Sequence, residues 1–227
     1  MRGVFVTGTG TEVGKTVVAA AIAHSLAAEG HRVAVFKPAV TGLEGPGEPD
    51  HALLRRAAGS EQSDDEVAPY RHGPPASPHL AAAEAGEEID PARLLAVARA
   101  AADEADALVC EGVGGLLVPL RLDYLVRDFA VELALPLVVA APPGLGTINH
   151  TLLTIESARG AGLDVVAVVL TPWPPSPSEI EESNLETIAS LGEVEVRTLP
   201  SIDLAAPGSW PALPVPPHGP ATSSLGS

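Results

Sequence analysis

Short apolar runs alternate with helix-patterned stretches along most of the chain, and this alternation restricts the fold more than any other feature. The runs at residues 3–7 (GVFVT), 32–36 (RVAVF), 107–110 (ALVC), 137–141 (LVVAA), 165–170 (VVAVVL) and 194–199 (VEVRTL) read as six strands, the most apolar of them covered on both faces. Between them, residues 15–29, 50–58, 77–85, 91–105, 124–134, 147–160 and 178–191 carry helical patterns, with Asp90 as an N-cap before Pro91. Residues 37–49, dense in Gly and Pro, predict a loop, and residues 59–76 an irregular connection. Strands alternating with helices build βαβ units, hence an α/β fold with a mostly parallel central sheet flanked by helices on both faces. The reading assigns residues 1–200 to one domain. Residues 201–227 become a Pro-rich coil tail, with six prolines between 207 and 220. Ligands of such sheets bind where the carboxyl ends of the strands meet the loops.

Charge narrows the partners. The 227 residues hold 13 Lys plus Arg against 29 Asp plus Glu, a net charge of −16, which argues against nucleic acid and anionic membranes as partners. No apolar run reaches the ~18 residues of a membrane span, and the chain starts directly in a strand, which predicts no leader. The one cysteine, Cys110, excludes an intrachain disulfide and reads as a small core residue. Together these predict a soluble protein of a reducing compartment, the cytoplasm. Only two of the 13 basic residues are lysine, Lys15 and Lys37, and both directly follow strand-like runs. A compact ammonium fits between phosphate oxygens differently from a planar guanidinium.

The first strand leads into Gly8-Thr9-Gly10-Thr11-Glu12-Val13-Gly14-Lys15-Thr16 and then a helix. Glycines let the backbone N–H groups curl inward around phosphate oxygens, and the helix N-terminus adds its positive end. Lys15 then reaches the β/γ-phosphates and the Thr16 hydroxyl can ligate Mg²⁺. The strict G-x-x-x-x-G-K-[ST] spacing is broken, because Thr9 stands where the first glycine belongs. The strand–loop–helix context still specifies a nucleotide phosphate site and a P-loop NTPase-like fold. Glu111 follows the third strand, the usual place for a P-loop protein's acidic metal residue.

Four segments in order carry a specific resemblance: GTGTEVGKTVV from Gly8, KPAVTG from Lys37, EGVGGL from Glu111 and GLGTINHT from Gly144. The chain resembles the dethiobiotin synthetases over most of its length, fading after about residue 170. The resemblance implies ATP- and Mg²⁺-dependent ring closure of 7,8-diaminononanoate with CO₂. An amine takes up CO₂ as a carbamate, the carbamate attacks the γ-phosphate, and the second amine displaces phosphate from the mixed anhydride. It implies Lys37 and Lys15 as the catalytic cations, with Lys37 bridging carbamate and γ-phosphate. Nucleotide contacts fall to Glu12, Val13, Gly14, Lys15, Thr16, Val17, Asp50, Glu111, Gly112, Val113, Gly114, Thr171, Pro172, Pro200 and Ser201. Thr16, Asp50 and Glu111 would hold Mg²⁺. Thr11, Lys37, Thr41, Gly146, Thr147 and Asn149 would bind the diamine, the last three in a neighbouring subunit's site, which implies a homodimer.

Plainer readings stand beside these. Asp50 also suits a helix N-cap, and Gly112, Gly114 and Gly115 suit a flexible turn as well as a close approach to phosphate. Thr147 as an N-cap after a Gly-rich loop suits an anion site or an ordinary helix start. His150 reads as helix structure, and residues 64–66 (DDE) as a solvated charge run. A nucleotide-dependent switch or partitioning ATPase shares the fold, but residues 7–13 lack the extra lysine of that group. One departure from the dethiobiotin synthetase pattern is informative. Thr171 stands where relatives carry an asparagine that pairs with adenine, and one hydroxyl cannot make that two-point contact. Relaxed base selectivity follows, unless backbone near Pro172 or Pro200 and Ser201 reads the base instead.

Overall fold

The computed structural model describes residues 2–44 and 47–214. Its strands are β1 (Gly3–Gly8), β2 (Val33–Phe36), β3 (Ala107–Glu111), β4 (Pro119–Arg121), β5 (Tyr124–Leu125), β6 (Leu137–Ala141), β7 (Val165–Trp173) and β8 (Val196–Pro200). Its helices are α1 (Lys15–Ala28), α2 (Asp50–Ala58), α3 (Asp64–Val67), α4 (Pro78–Glu84), α5 (Pro91–Asp103), α6 (Val126–Leu133), α7 (Thr147–Gly160) and α8 (Glu179–Gly192). Six strands form one sheet in the order β2-β3-β1-β6-β7-β8, and every neighbouring pair is parallel. β1 lies inside, with β3 on one side and β6 on the other, so the chain changes direction across it. A crevice opens at such a switch point, and the Gly-rich loop leaves β1 there.

Burial on both faces follows from strand alternation. Val4 and Val6 pack on one face with Ile22, Leu54 and Val109, while Phe5 packs on the other with Phe36, Leu108 and Phe129. Phe129 meets Phe5 edge-on and also contacts Phe36, with centroids 6.0 and 5.8 Å away. Cys110 is fully buried in that second cluster, as its sequence context predicts. α1 has no polar stripe from Val18 to Ala23, and all six residues are buried. The small alanines let the sheet, α2 and the C-terminal segment close over it.

Local differences from the sequence reading have local causes. Residues 59–76 are not wholly irregular: Ser63 and Glu66 form a capping box that starts α3. The acidic run at its head is exposed but paired, Asp64 with Arg55 at 2.6 Å and Asp65 with Arg71 at 2.7 Å. Residues 124–125 pair antiparallel with β4, so α6 starts only at Val126, where Asp128 accepts the Leu125 N–H. α7 is capped by Gly146 in a left-handed conformation, and Thr147 is its first residue rather than its N-cap. β7 runs three residues further than expected, and β8 begins at Val196 because Glu193 turns left-handed after α8.

The expected loop at 37–49 is open chain where described, Gly45 and Pro46 lying outside the described residues. It is laced to residues 67–74 by main-chain bonds, among them Lys37 N–H to Val67 O at 2.8 Å and Val40 N–H to Tyr70 O at 2.9 Å. After Pro200 the chain crosses α2 and α1. Arg56 donates to Leu204 O, the Trp210 ring meets His24, and the Leu213 N–H donates to Ser25 Oγ. Trp210 and Leu213 are buried there, so this part of the expected tail is packed, and residues 215–227 lie outside the described residues. β2 is an edge strand. Its Val35 gives its N–H to Gln62 Oε1 at 2.8 Å and accepts from Gln62 Nε2 at 3.1 Å, so one side chain stands in for a neighbouring strand.

Candidate active site

The Gly-rich loop is shaped by two left-handed residues. Gly14 sits at φ +91°, and a Cβ there would lie 2.5 Å from the Thr171 Cγ2 methyl, so only glycine fits. Glu12 adopts φ +59° without being glycine, a conformation that costs about 1 kcal/mol. α1 has neither a side-chain cap nor an acidic residue in its first turn. Its first main-chain bond is Val18 N–H to Gly14 O, which leaves the leading N–H groups of Lys15, Thr16 and Val17 outside the helical ladder. Anions bind such ends. Thr11 and Glu12 are exposed, and Val13 is half-buried beside them.

Four strand or helix ends converge next to this loop. Lys37 follows β2, Asp50 opens α2, Glu111 ends β3 and Thr16 lies in the first turn of α1. Lys37 is 3% exposed, and its Nζ donates to Asp50 Oδ2 at 2.5 Å and to Glu111 Oε1 at 2.7 Å. Thr16 Oγ1 donates to that same Glu111 oxygen at 2.9 Å. Lys15 turns back to donate to Gly10 O at 2.7 Å. The two lysines and two carboxylates balance in charge.

Their environments push them apart in acidity. Burial lowers the Lys15 ammonium, with Glu111 pulling the other way. Burial also draws Lys37 down, but Glu111 and Asp50 together outweigh it and hold the ammonium above its ordinary range. Burial raises Asp50, and the adjacent Lys37 more than reverses this, leaving the carboxyl low. Glu111 is completely enclosed, and burial lifts it despite Lys37. Desolvation therefore makes Glu111 the costliest charge in the cluster and Lys37 its main counterion.

The donor set suits Mg²⁺. Thr16, Asp50 and Glu111 offer hard oxygens, and Glu111 Oε2 is a buried acceptor with no partner among the described residues. Mg²⁺ is held by one or two carboxylates plus substrate phosphates, so two acids suffice. Among the described residues no group of three or more His, Cys, Asp or Glu side chains could hold a metal.

The remaining candidates lie around this cluster. Gly112, Val113 and Gly114 follow Glu111, and the Gly112 N–H bonds Val6 O at 2.8 Å. Gly114 has φ +62°, and a Cβ there would lie 2.7 Å from Val118 Cγ2 and 3.7 Å from Thr11 Oγ1. That segment is therefore a close approach to the phosphate loop. Asp50 is the first helical residue after the N-cap Pro49, and its carboxylate faces Lys37 instead of capping α2. Thr41 is half-buried in the laced loop. Thr171 is buried with its methyl against Gly14, whereas Pro172, Pro200 and Ser201 are exposed where β7 and β8 end, Trp173 pairing with Pro200.

Residues 144–149 behave differently. Leu145 is 96% exposed and Gly146 and Asn149 are exposed, but Thr147 is buried with its hydroxyl 3.4 Å from Thr151 Oγ1. No hydrogen bond joins these residues to the lysine–carboxylate cluster among the described residues. Two contributors escaped the sequence reading. Gly10 lies in the Gly-rich loop, but its role is carried by a main-chain carbonyl that holds Lys15, which no residue type signals. Asn184 donates to Pro143 O at 2.8 Å and Gly144 O at 3.1 Å, fixing the loop before α7. Its signal is a polar residue four places from both Ile180 and Ile188 on one helix.

A family model described as an AAA domain matches residues 2–205. The ATP-dependent dethiobiotin synthetase BioD of Bacillus cereus is 42% identical over 197 residues, 86% of this chain and 81% of that protein. The protein of the same name from Anaeromyxobacter dehalogenans is 43% identical over 192 residues, 84% of this chain and 86% of its own. Among solved structures, the MinC:MinD cell division protein complex of Aquifex aeolicus superposes with TM-score 0.58 at 14% identity, covering 89% of this chain and 82% of that one. The cell division ATPase MinD of Pyrococcus furiosus gives 0.51 at 21% identity, covering 88% and 84%. At these identities the likeness is one of fold alone.

Proposed function

The chain belongs to the ATP-dependent dethiobiotin synthetase family, and on that premise we propose that the Lys37–Asp50–Glu111–Thr16 cluster is the centre of its ring-closing reaction. The enzyme is an ATP-dependent cyclo-ligase of biotin biosynthesis. The observation that carries the assignment of residues is the Lys37 ammonium, buried at a strand end beside the free N–H groups of α1.

The carbamate, the triphosphate and the mixed anhydride are all anionic, so the protein's task is to gather positive charge without supplying a nucleophile. The main-chain N–H groups of residues 14–17 and the Lys15 ammonium bind the triphosphate. Lys37 neutralises the carbamate oxygen and the γ-phosphoryl group together, which permits two anions to approach. The carbamate oxygen forms a bond to phosphorus as the bond to the β–γ bridging oxygen breaks, and ADP leaves. The second amine then attacks the carbonyl carbon, phosphate departs, and the amine proton is lost as the urea closes. Thr16, Asp50 and Glu111 would hold Mg²⁺, which when bound supplies charge neutralisation at the phosphates. Thr11 and Thr41 flank the diamine end.

We place Gly146, Thr147 and Asn149 in the site of a second subunit, where they meet the carboxylate tail of the substrate. Support comes from the exposed Leu145 at the tip of that loop and from exposed Leu153 on α7, apolar surface that a second copy would cover. Pro172, Pro200 and Ser201 border the base. No helix among the described residues is long and apolar enough to cross a membrane. The test is ADP release measured with diamine, bicarbonate and ATP together and with each omitted. Turnover that needs all three supports the assignment, and ATP hydrolysis indifferent to the diamine rejects it.

A further inference from the structure

The Lys37 ammonium is bonded to Asp50 Oδ2 and Glu111 Oε1, the two carboxylates that a divalent ion at the phosphate loop requires. We propose that Lys37 and Mg²⁺ compete for these carboxylates, so that metal arrival releases the Lys37 ammonium toward the carbamate and the γ-phosphate. The inference rests on the reading of Thr16, Asp50 and Glu111 as the metal's protein ligands.

Where they share a carboxylate oxygen, the two cations exclude each other. Mg²⁺ takes its oxygens at about 2.0–2.1 Å and in near-octahedral directions. An oxygen already facing an ammonium at 2.5 or 2.7 Å would put the two cations within a few ångströms of each other. The Lys37 backbone cannot retreat, because its N–H is tied to Val67 O and the preceding Phe36 is paired in the sheet with Cys110. Only the four-carbon side chain moves. It is buried, and the phosphate loop lies beside it, with Thr16 Oγ1 on the same Glu111 oxygen that Lys37 holds. The lysine is thus a placeholder that keeps two buried carboxylates neutralised, and leaving that place puts it where the reaction needs it. Arrival of the metal with its nucleotide and activation of Lys37 become one event.

The structure also holds the rival arrangement. Glu111 Oε2 has no partner among the described residues, and a metal using only that oxygen and the water-facing side of Asp50 would leave Lys37 where it is. Metal binding would then be indifferent to the lysine. Mn²⁺ titrated into nucleotide-free protein and followed by electron paramagnetic resonance separates the two. Competition predicts that Lys37→Met binds Mn²⁺ at least tenfold tighter than the unaltered protein, while Lys37→Arg, which keeps a cation, shows no such gain. Equal affinities for Lys37→Met and the unaltered protein overturn the proposal, and so does the absence of Mn²⁺ uptake in both. In the second case a triphosphate is added. Mn²⁺ held in that complex leaves the ligand assignment standing, and none held removes it as well.

A measurement on the unaltered chain guards against a variant that fails to fold. The sequence has only two lysines, so ¹⁵N-labelled lysine gives two side-chain ammonium signals. Addition of Mg²⁺ alone, at concentrations that displace Mn²⁺, must shift or broaden the Lys37 signal more than that of Lys15. A Lys37 signal that stays in place under those conditions refutes the exchange.

Discussion

Removing the Lys37 ammonium should cost stability before any question of catalysis arises. Lys37→Met keeps the length and apolar stem of the side chain and deletes only the charge. Of its two partners, the Asp50 side chain is 45% exposed, so water takes over that interaction. Glu111 has no such outlet, being fully buried with only Thr16, among the described residues, left to donate to it. Breaking a buried ion pair from one side costs about 3–5 kcal/mol, and the half-exposed Asp50 arm argues for the lower end, about 3 kcal/mol. Glu111 can also escape its penalty by taking a proton. Burial already holds its carboxyl above the ordinary value, and losing Lys37 raises it further. A carboxyl whose folded pKa lies above its unfolded value destabilises the fold when ionised. The deficit is therefore full above the folded pKa and shrinks as pH falls through it. Urea unfolding followed by the fluorescence of Trp173 and Trp210 at pH 8 and at pH 5 measures both effects. Glu111→Gln in the Lys37→Met background should recover most of the loss, since the orphaned charge is gone. A single variant within 0.5 kcal/mol of the unaltered protein at pH 8, or a double variant no more stable than the single, would show that the pair does not carry this energy.

Three further outcomes follow from the same geometry. Lys37→Arg should lose cyclisation while keeping nucleotide binding through Lys15 and the loop N–H groups, because a planar guanidinium cannot replace a compact ammonium between two anions; near-normal kcat in the coupled assay contradicts this. ATP, CTP, GTP and UTP should give comparable kcat/KM, since Thr171 turns its methyl to Gly14 and offers at most one hydroxyl to a base; a hundredfold preference for ATP rules that out. Gly14→Ala should destabilise the fold by about 1–3 kcal/mol from its left-handed backbone and the contact with Thr171, and Thr171→Ser should relieve only the contact, leaving part of the melting-temperature loss in the double variant.

The sequence exposes whatever is periodic or local. The apolar runs mark all six strands of the main sheet, and the strand–glycine–helix order marks the phosphate loop. The position of Glu111 at the end of the third apolar run and the rarity of lysine single out two of the charges that meet. What brings them together is less visible. Lys37 and Glu111 are 74 residues apart and join only because β2 and β3 are neighbours in register. The lacing of residues 37–44 to 67–74 uses main-chain groups, which have no residue-type signature. The hairpin of β4 and β5 is too short for a period to emerge, so residues 124–125 merge with the helix that follows. Thr147 fits the N-cap pattern in composition, yet Gly146 has the left-handed freedom that the turn needs, and it takes the position.

The Gln62 carboxamide on the edge of β2 bears on how the enzyme survives crowding. An open edge strand is a template on which another molecule's strand can grow, and growth of that kind ends in insoluble fibres. At Val35 both main-chain groups are already taken by a side chain of the same molecule, and the Ser60 hydroxyl donates to Gln62 Oε1 to hold it there. Two residues further on, the Lys37 N–H is taken by Val67 O. An incoming strand meets an interrupted row and finds no continuous run to zip against. The strand that delivers the reactive lysine is thereby also shielded from recruiting its neighbours, and at Val35 a single amide group closes the edge.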